Sequence, residues 1–81
     1  MPYLTKEAKE RLAEGGLATT AGELNCQITR EIINYWYDNL PQNYQRINDI
    51  IGALEGAKAE FYRRVVVPYE DKKIKENGDV Y

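Results

Sequence analysis

The chain has 81 residues, of which 43% are hydrophobic, and a formal net charge of -2. A chain of this length forms one domain near the size at which a single core is only marginally stable, so oligomerisation is a common remedy, and its hydrophobic content excludes wholesale disorder. The nearly balanced charge argues against a nucleic-acid binder, since such domains usually carry a clear basic excess.

Missing residue types restrict the chemistry further. The chain contains no histidine, no serine and a single cysteine, Cys26. Without a disulfide partner or a histidine beside Cys26, we expect no zinc or heme site and no cofactor, and we expect Cys26 to pack as a small apolar residue in a helix. A reactive thiol is the alternative. Because the commonest general base and the usual hydroxyl nucleophile are absent, the sequence predicts a non-enzymatic protein.

The first residues contain no targeting signal. Residues 1–7 lack the basic start and the apolar stretch of a signal peptide, and no window approaches the length of a membrane span. We therefore expect a cytoplasmic protein that has no membrane contact.

A first short helix is predicted from Thr5 to about Glu14. The Thr5 hydroxyl suits an N-cap, and a thin apolar stripe follows at Leu4, Ala8 and Leu12. Gly15 and Gly16 end the helix. Because the stripe is narrow, this helix has to pack against something larger.

A second, amphipathic helix is predicted to begin after Thr20 and to end at Pro41. Thr20 and Glu23 have the spacing of a capping box, in which the hydroxyl accepts from the Glu23 amide and the carboxylate reaches back to the cap residue. Such a helix would be about 30 Å long. Its broad apolar face consists of Leu24, Ile28, Ile32, Ile33, Tyr35, Trp36 and Leu40.

Three aromatic residues in a row, Tyr35, Trp36 and Tyr37, point to successive sides of this helix. At least one ring should therefore lie outside the core of a monomer, and an exposed large aromatic side chain is typical of a partner surface. The alternative is that the C-terminal tail or the first helix covers it. We favour subunit packing.

A third helix is predicted from an N-cap at Asn43 to the valines before Pro68. Gly52 and Gly56 lie on one of its faces, and each costs roughly 1 kcal/mol relative to alanine. The expected compensation is close approach of another backbone, either within a helical hairpin or between subunits; a ligand lying on the bare helix is the alternative. Its apolar positions are Ile47, Ile50, Ile51, Leu54, Ala57, Phe61 and Val65.

Pro68 predicts a kink or break after the third helix. Proline disfavours helical geometry at Val67 yet suits the first position of a new helix, so we expect a short charged turn through about Lys75. A turn at Asn77 and Gly78 then leaves residues 79–81 extended.

The predicted fold is all-α. Residues 1–81 form a single small helical domain, with a weak helix and glycine-rich link in 1–19, a helical hairpin in 20–67 and a charged tail in 68–81. The second and third helices carry more apolar surface than a hairpin of this length can bury, so we expect a homo-oligomer.

The C-terminal region offers the best candidate for a ligand site. Residues 61–81 hold five basic against four acidic residues, whereas residues 1–60 hold six against nine. Tyrosines that stack and cations that hold phosphate suit a nucleotide-like anion. The alternative is that these charges pair along the helix, as Glu60 and Arg64 can, or form a solvated face. The candidate ligand-binding residues are Tyr62, Arg63, Arg64, Tyr69 and Lys72.

Several segments together resemble a family of small uncharacterised proteins of tailed-phage genomes and of bacterial genomes that carry phage-derived genes. The segments are Met1-Pro-Tyr, residues 21–30 (Ala-Gly-Glu-Leu-Asn-Cys-Gln-Ile-Thr-Arg), residues 51–55 (Ile-Gly-Ala-Leu-Glu) and, most strongly, residues 60–81. The resemblance implies a protein of the bacterial host cytoplasm that binds a host protein, assembles with virion parts, or sequesters a nucleotide immune signal as an oligomer.

Two functional hypotheses follow. The first is a non-enzymatic oligomer whose C-terminal residues sequester a nucleotide-like ligand at a subunit boundary. The second is an interaction module that acts on a host or virion protein through the surface at Tyr35, Trp36 and Tyr37. The interface residues expected in either case also include Gly52 and Gly56.

Overall fold

The computed structural model describes residues 4–81, and within this range the regular secondary structure is helical, with no strand. The all-α prediction is thus confirmed. The Met1-Pro-Tyr part of the resemblance lies outside the described residues. The chain divides into two compact units, Met1–Gln42 and Asn43–Tyr81, which are described separately. The arrangement as one domain with a helical hairpin stays a prediction.

Helix α1 of the first unit spans Lys6–Ala13, as expected from its caps. The Thr5 hydroxyl accepts from the Ala8 amide at 3.1 Å. At the other end the amide of Gly16 donates to the Arg11 carbonyl and that of Gly15 to the Leu12 carbonyl, which is the Schellman arrangement. Gly15 has a φ of +88°, a conformation that favours glycine. The two glycines therefore end α1 by hydrogen bonding its last carbonyls.

Helix α2 spans Ala21–Trp36 and begins where the sequence predicts. The Thr20 hydroxyl accepts from the Glu23 amide at 3.1 Å. The second half of the capping box differs, because the Glu23 carboxylate accepts from the amide of Thr19 at 3.2 Å. The predicted reach back to Thr20 is therefore displaced by one residue.

The predicted end of α2 at Pro41 is wrong, because the helix stops at Trp36. An Asp38 carboxylate oxygen accepts from the Leu40 amide at 2.8 Å, which gives the backbone a local turn in place of another helical turn. The Gln42 side chain donates to the Trp36 carbonyl at 3.4 Å. The helix is thus ended by polar side chains that follow it and not by the proline.

The second unit is one uninterrupted helical run from Tyr44 to Asn77. Helix α3 spans Tyr44–Phe61, a π-helical turn spans Tyr62–Val66, and helix α4 spans Val67–Asn77. The Asn43 side chain accepts from the Arg46 amide at 2.9 Å, so the predicted N-cap is confirmed. The run measures about 50 Å at 1.5 Å per residue.

A break at Pro68 is not present, whereas the expectation that proline suits the first turn of a new helix is confirmed, because α4 begins at Val67. The segment after Pro68 is helical, as predicted, but continues to Asn77, beyond the short charged turn expected to end near Lys75. Val66 and Val67 keep helical dihedral angles, and the Val67 amide donates to the Tyr62 carbonyl five residues back. A proline lacks an N–H group and its ring clashes with the carbonyl four residues earlier. In a π turn each backbone N–H donates to the carbonyl five residues earlier and not to the one four residues earlier. The helix therefore continues through Pro68 although proline has no N–H to donate. Gly78, with φ +84°, ends α4 as its turn signal predicts.

Burial is sparse throughout the described residues. In the first unit α1 contacts α2, and Leu12 is the one buried apolar side chain of residues 4–81. In the second unit the buried residue is Arg46, while every apolar side chain is exposed or half-buried. A single helical run directs its side chains outward and cannot cover its own apolar face. The second unit therefore has no hydrophobic core of its own.

None of the described helices is both long enough and apolar enough to cross a membrane.

Candidate functional site

The predicted ligand residues lie on the π turn and on α4. Tyr62, Arg63 and Arg64 belong to the π turn, and Tyr69 and Lys72 belong to α4. All five are exposed. Because the backbone stays helical across Pro68, these side chains are distributed along one helical run.

Both arginines are held by one carboxylate. The Glu60 Oε2 atom accepts from Arg64 Nε at 2.7 Å and from the Arg63 guanidinium at 2.9 Å. The alternative that Glu60 and Arg64 pair along the helix is therefore confirmed. Exposed pairs of this kind contribute at most about 1 kcal/mol each. These ion pairs also bear on ligand binding. The negative charge of Glu60 offsets part of the positive potential by which the two arginines would attract an anion.

Tyr62 and Glu70 are linked across the π turn. The phenol of Tyr62 donates to Glu70 Oε1 at 3.2 Å. This hydrogen bond, together with the charge of Glu70, raises the pKa of Tyr62 above its usual 10.0. In an α-helix residues eight apart are about 80° out of line, whereas the extra residue of a π turn brings them close to one face. The π turn thus makes this contact geometrically available.

Tyr69 and Lys72 lie further along α4 and have different surroundings. The Lys73 ammonium lies 5.5 Å from the centre of the Tyr69 ring, within the range of a cation–π contact, and also approaches Glu76 at 3.5 Å. Lys72 forms no ion pair with another described residue.

Two shallow hollows divide the predicted residues between them. A hollow of about 450 Å³ contains Tyr62 and Arg63 together with Lys58 and Glu55. A second, of about 480 Å³, contains Tyr69 and Tyr81. Arg64 and Lys72 line neither. The structure therefore brings Tyr62 and Arg63 together, adds Lys58, and places Tyr69 elsewhere.

Lys58 is the basic residue of this hollow that the sequence prediction missed. It lies one helical turn before Tyr62, so its helical spacing was the available signal. With Arg63 it places two cations beside a tyrosine ring. Two carboxylates, Glu55 and Glu60, lie close by in sequence. They balance the two cations, so these four side chains together carry a net charge near zero.

The predicted interface aromatics differ in exposure. Trp36 is half-buried, Tyr35 is exposed, and Tyr37 is 70% exposed. The expectation that at least one ring lies outside the core is confirmed, while its use by a partner stays a prediction. Cys26 is half-buried in α2 and borders a hollow with Ile33.

Gly52 and Gly56 have open space around them. Within the second unit, apart from its own helix, no atom comes within 4 Å of a Cβ added at either position. The expected close approach of another backbone, within a hairpin or between subunits, stays a prediction, as does the alternative of a ligand on the bare helix.

A long-range polar cluster in the first unit was also missed by the sequence prediction. Glu23 is only 7% exposed, and its carboxylate pairs with the Arg11 guanidinium and accepts from Thr19. Arg11 also donates to the Leu17 carbonyl. The Arg11 hydrogen bond holds the pKa of Glu23 below its usual 4.5, more than burial raises it. The cluster ties the end of α1 to the start of α2.

No group of three or more His, Cys, Asp or Glu side chains suited to a metal ion occurs within residues 4–81.

The chain belongs to a family described as a domain of unknown function, DUF6899, whose model matches residues 1–80. This agrees with the resemblance to an uncharacterised family. No curated protein and no solved structure matches the chain.

Proposed function

We propose that the chain is a non-enzymatic interaction module that binds protein through the apolar face of its second unit. The observation that supports this proposal most directly is that the helical run from Tyr44 to Asn77 contains no buried apolar side chain. Large side chains such as Phe61, Ile51 and Val65 are exposed along it. Exposed apolar surface in a continuous stripe is typical of a protein interface.

The resemblance of residues 60–81 to small phage-encoded proteins adds to this proposal. Small phage proteins commonly bind a host protein or assemble with virion parts, and an amphipathic helix suits either partner. If the chain is encoded by a phage, its compartment is the cytoplasm of the bacterial host.

Affinity capture with purified, tagged chain tests the proposal. The wild type is compared with Ile51→Asp, which places a charge in the apolar stripe, and with Ala53→Asp, a matched charge at another exposed position of α3. We expect partners, including untagged copies of the chain itself, to be lost with Ile51→Asp and kept with Ala53→Asp. Trp36→Ala is included to test the aromatic surface of the first unit. Failure of the wild type to retain any protein would overturn the proposal.

A second candidate function is binding of a nucleotide-like anion. The observation that favours it is the hollow where Lys58 and Arg63 flank Tyr62. A phosphate would have to compete with Glu60 for the arginine, since Glu60 already accepts from Arg63 and Arg64. The phage setting supports a nucleotide immune signal as the ligand.

Thermal-shift screening with cyclic and linear nucleotides tests this candidate. We expect stabilisation that grows with ligand concentration and is lost in a Lys58→Ala, Arg63→Ala double variant, while Lys72→Ala, outside the hollow, leaves it unchanged. Absence of stabilisation at concentrations far above micromolar would remove the candidate.

A further inference from the structure

The apolar side chains of the second unit follow a seven-residue repeat. With Tyr44 at position a, six of the seven a and d positions up to Val65 are apolar or aromatic, and the repeat extends over three heptads. A repeat of this length indicates a coiled-coil contact between helices. The seven positions, called the seam below, are Tyr44, Ile47, Ile51, Leu54, Lys58, Phe61 and Val65.

The whole seam is exposed. Its fractional exposure ranges from 84% at Tyr44 to 36% at Leu54 among the apolar members. Together these side chains present on the order of 700 Å² per chain, close to the ~800 Å² that each partner contributes to a standard interface. One further helix that packs along the seam would thus bury enough surface for a stable complex.

Two charges, one in the seam and one flanking it, have no ion-pair partner among residues 4–81. Lys58, at position a, and Glu55, at the flanking position e, form no salt bridge, whereas the next carboxylate, Glu60, pairs with two arginines. A lysine inside a coiled-coil seam restricts which register and partner are tolerated. A partner helix that packs along the seam therefore has to place a negative charge beside Lys58 and a positive charge beside Glu55.

We propose that two copies of the chain pair along the seam in antiparallel orientation, about a twofold axis near Gly56. In this register Ile47 faces the partner's Val65 and Ile51 faces the partner's Phe61, so the seam is complementary to itself. Lys58 of each chain lies beside the partner's Glu55, which forms two equivalent ion pairs. The inference rests on the proposed function, because it names the partner of the same apolar face.

The parallel arrangement is less favourable. In register, it places Lys58 against the partner's Lys58 in one layer of the seam, and Glu55 then faces the partner's Ile50. Two ammonium groups brought together in an apolar layer repel each other and lose water. The charges of this chain therefore select the antiparallel pair.

The π turn fits this arrangement. An unbroken heptad would place Pro68 at the next d position, but the added residue of the π turn moves Tyr69 there, opposite the partner's Tyr44. Tyr69 is 59% exposed. Gly52 and Gly56 fall at positions b and f, on the side of the helix away from the seam. The pair thus makes no use of the close glycine contact expected from the sequence.

Sedimentation velocity over a range of concentrations, with helicity followed by circular dichroism, tests the pairing. We expect a dimer whose dissociation constant rises at least about tenfold for Ile51→Asp and stays within about twofold for Ala53→Asp. A wild type that remains monomeric at high micromolar concentration would overturn the inference, as would a dimer indifferent to Ile51→Asp.

Charge reversal and cross-linking test the orientation. Glu55→Lys and Lys58→Glu should each weaken the dimer, and the double variant should restore it, even where a single variant loses helicity. In a Cys26→Ala background, chains carrying Ile51→Cys should form disulfides with chains carrying Phe61→Cys. Disulfides that form only between two chains that both carry Ile51→Cys would overturn the antiparallel pair. A double charge-reversal variant whose dimer is weaker than that of either single variant would also overturn it.

The same variants separate this inference from the proposed function. If the chain is monomeric yet captures another protein that Ile51→Asp releases, the inference fails and the proposed function stands. If neither its own copy nor another protein binds, both fail.

Discussion

Glu23 shows how one carboxylate controls the first unit. Its pKa is depressed, so the stabilisation it provides is fully present above 4.5 and is lost as the pH falls through the folded-state pKa. We expect the first unit to lose thermal stability on acidification below 4.5. Glu23→Gln should lower the stability at neutral pH and flatten this dependence. The measurement is the melting temperature from Trp36 fluorescence above and below that pH.

Arg11→Met provides the matched control, because it removes the principal hydrogen-bonding partner of Glu23 and keeps the carboxylate. Its acid dependence should also be reduced. An unchanged acid dependence in both variants would show that other carboxylates, and not Glu23, govern the acid response.

Glycines at different backbone positions should respond to alanine in opposite ways. A methyl group at Gly56 meets open space in α3, so Gly56→Ala should raise the free energy of unfolding by about 1 kcal/mol. Gly15 has φ +88°, where a side chain is strained, so Gly15→Ala should lower it by about 1–2 kcal/mol. Chemical denaturation measures both.

Gly56→Leu distinguishes the two interpretations of this face. If another backbone packs on Gly56, as the sequence alone suggests, leucine should disrupt association. If the seam is the interface, leucine at position f should be tolerated.

At the scale of elements, helix starts were the most predictable feature. The caps at Thr5, Thr20 and Asn43 all form as the sequence predicts, because a cap depends on a side chain and an amide only three residues apart. The glycine ends at Gly15 and Gly78 follow from equally local backbone preferences.

Two helix boundaries were not predictable from such local rules. The end of α2 depends on competition between another helical turn and the Asp38 side chain, and propensities do not decide between them. The passage of the helix through Pro68 depends on a rare π turn that accommodates the missing N–H. Proline normally indicates a boundary, so the sequence favoured one here.

Pro68→Ala tests this account of the π turn. Alanine restores an N–H group and removes the ring, so the turn should relax toward α-helix. We expect a gain of about 1–2 kcal/mol, less than the ~3 kcal/mol of a strained interior proline because the π turn already relieves the clash. Amide hydrogen exchange across residues 62–70 should slow.

Pro41→Ala is the matched control for a proline outside the helices. At Pro41 the proline ring mainly limits the conformations of the unfolded chain. Its removal should therefore lower the free energy of unfolding by up to about 1 kcal/mol. Faster exchange in Pro68→Ala than in the wild type would contradict the proposed role of the π turn.

At the scale of the molecule, the candidate site was partly predictable. The sequence identified Tyr62 and Arg63 because stacking and cationic residues are adjacent there. The sequence did not show that Tyr69 lies in a different hollow from Tyr62 and Arg63, because its position depends on the helix continuing past Pro68. The ion pair of Arg11 and Glu23 was missed because it joins residues twelve apart and depends on the turn between α1 and α2.

The two units should unfold in different ways. The first contains Leu12 and the Arg11 and Glu23 pair within a single chain, so its stability should not depend on concentration. The second lacks buried apolar side chains and gains them on association, so its melting temperature should rise with chain concentration. Trp36, the only tryptophan, reports on the first unit, whereas most of the helical circular dichroism comes from the second.

Melting curves recorded with both signals over a hundredfold range of concentration therefore decide how far the chain behaves as one domain. We expect the circular dichroism transition to move upward by several degrees and the fluorescence transition to stay in place, with Ile51→Asp abolishing the movement. Coincident transitions that shift together would contradict this prediction and would instead indicate the single cooperative domain expected from the sequence, since coincidence of independent probes is the test of two-state unfolding.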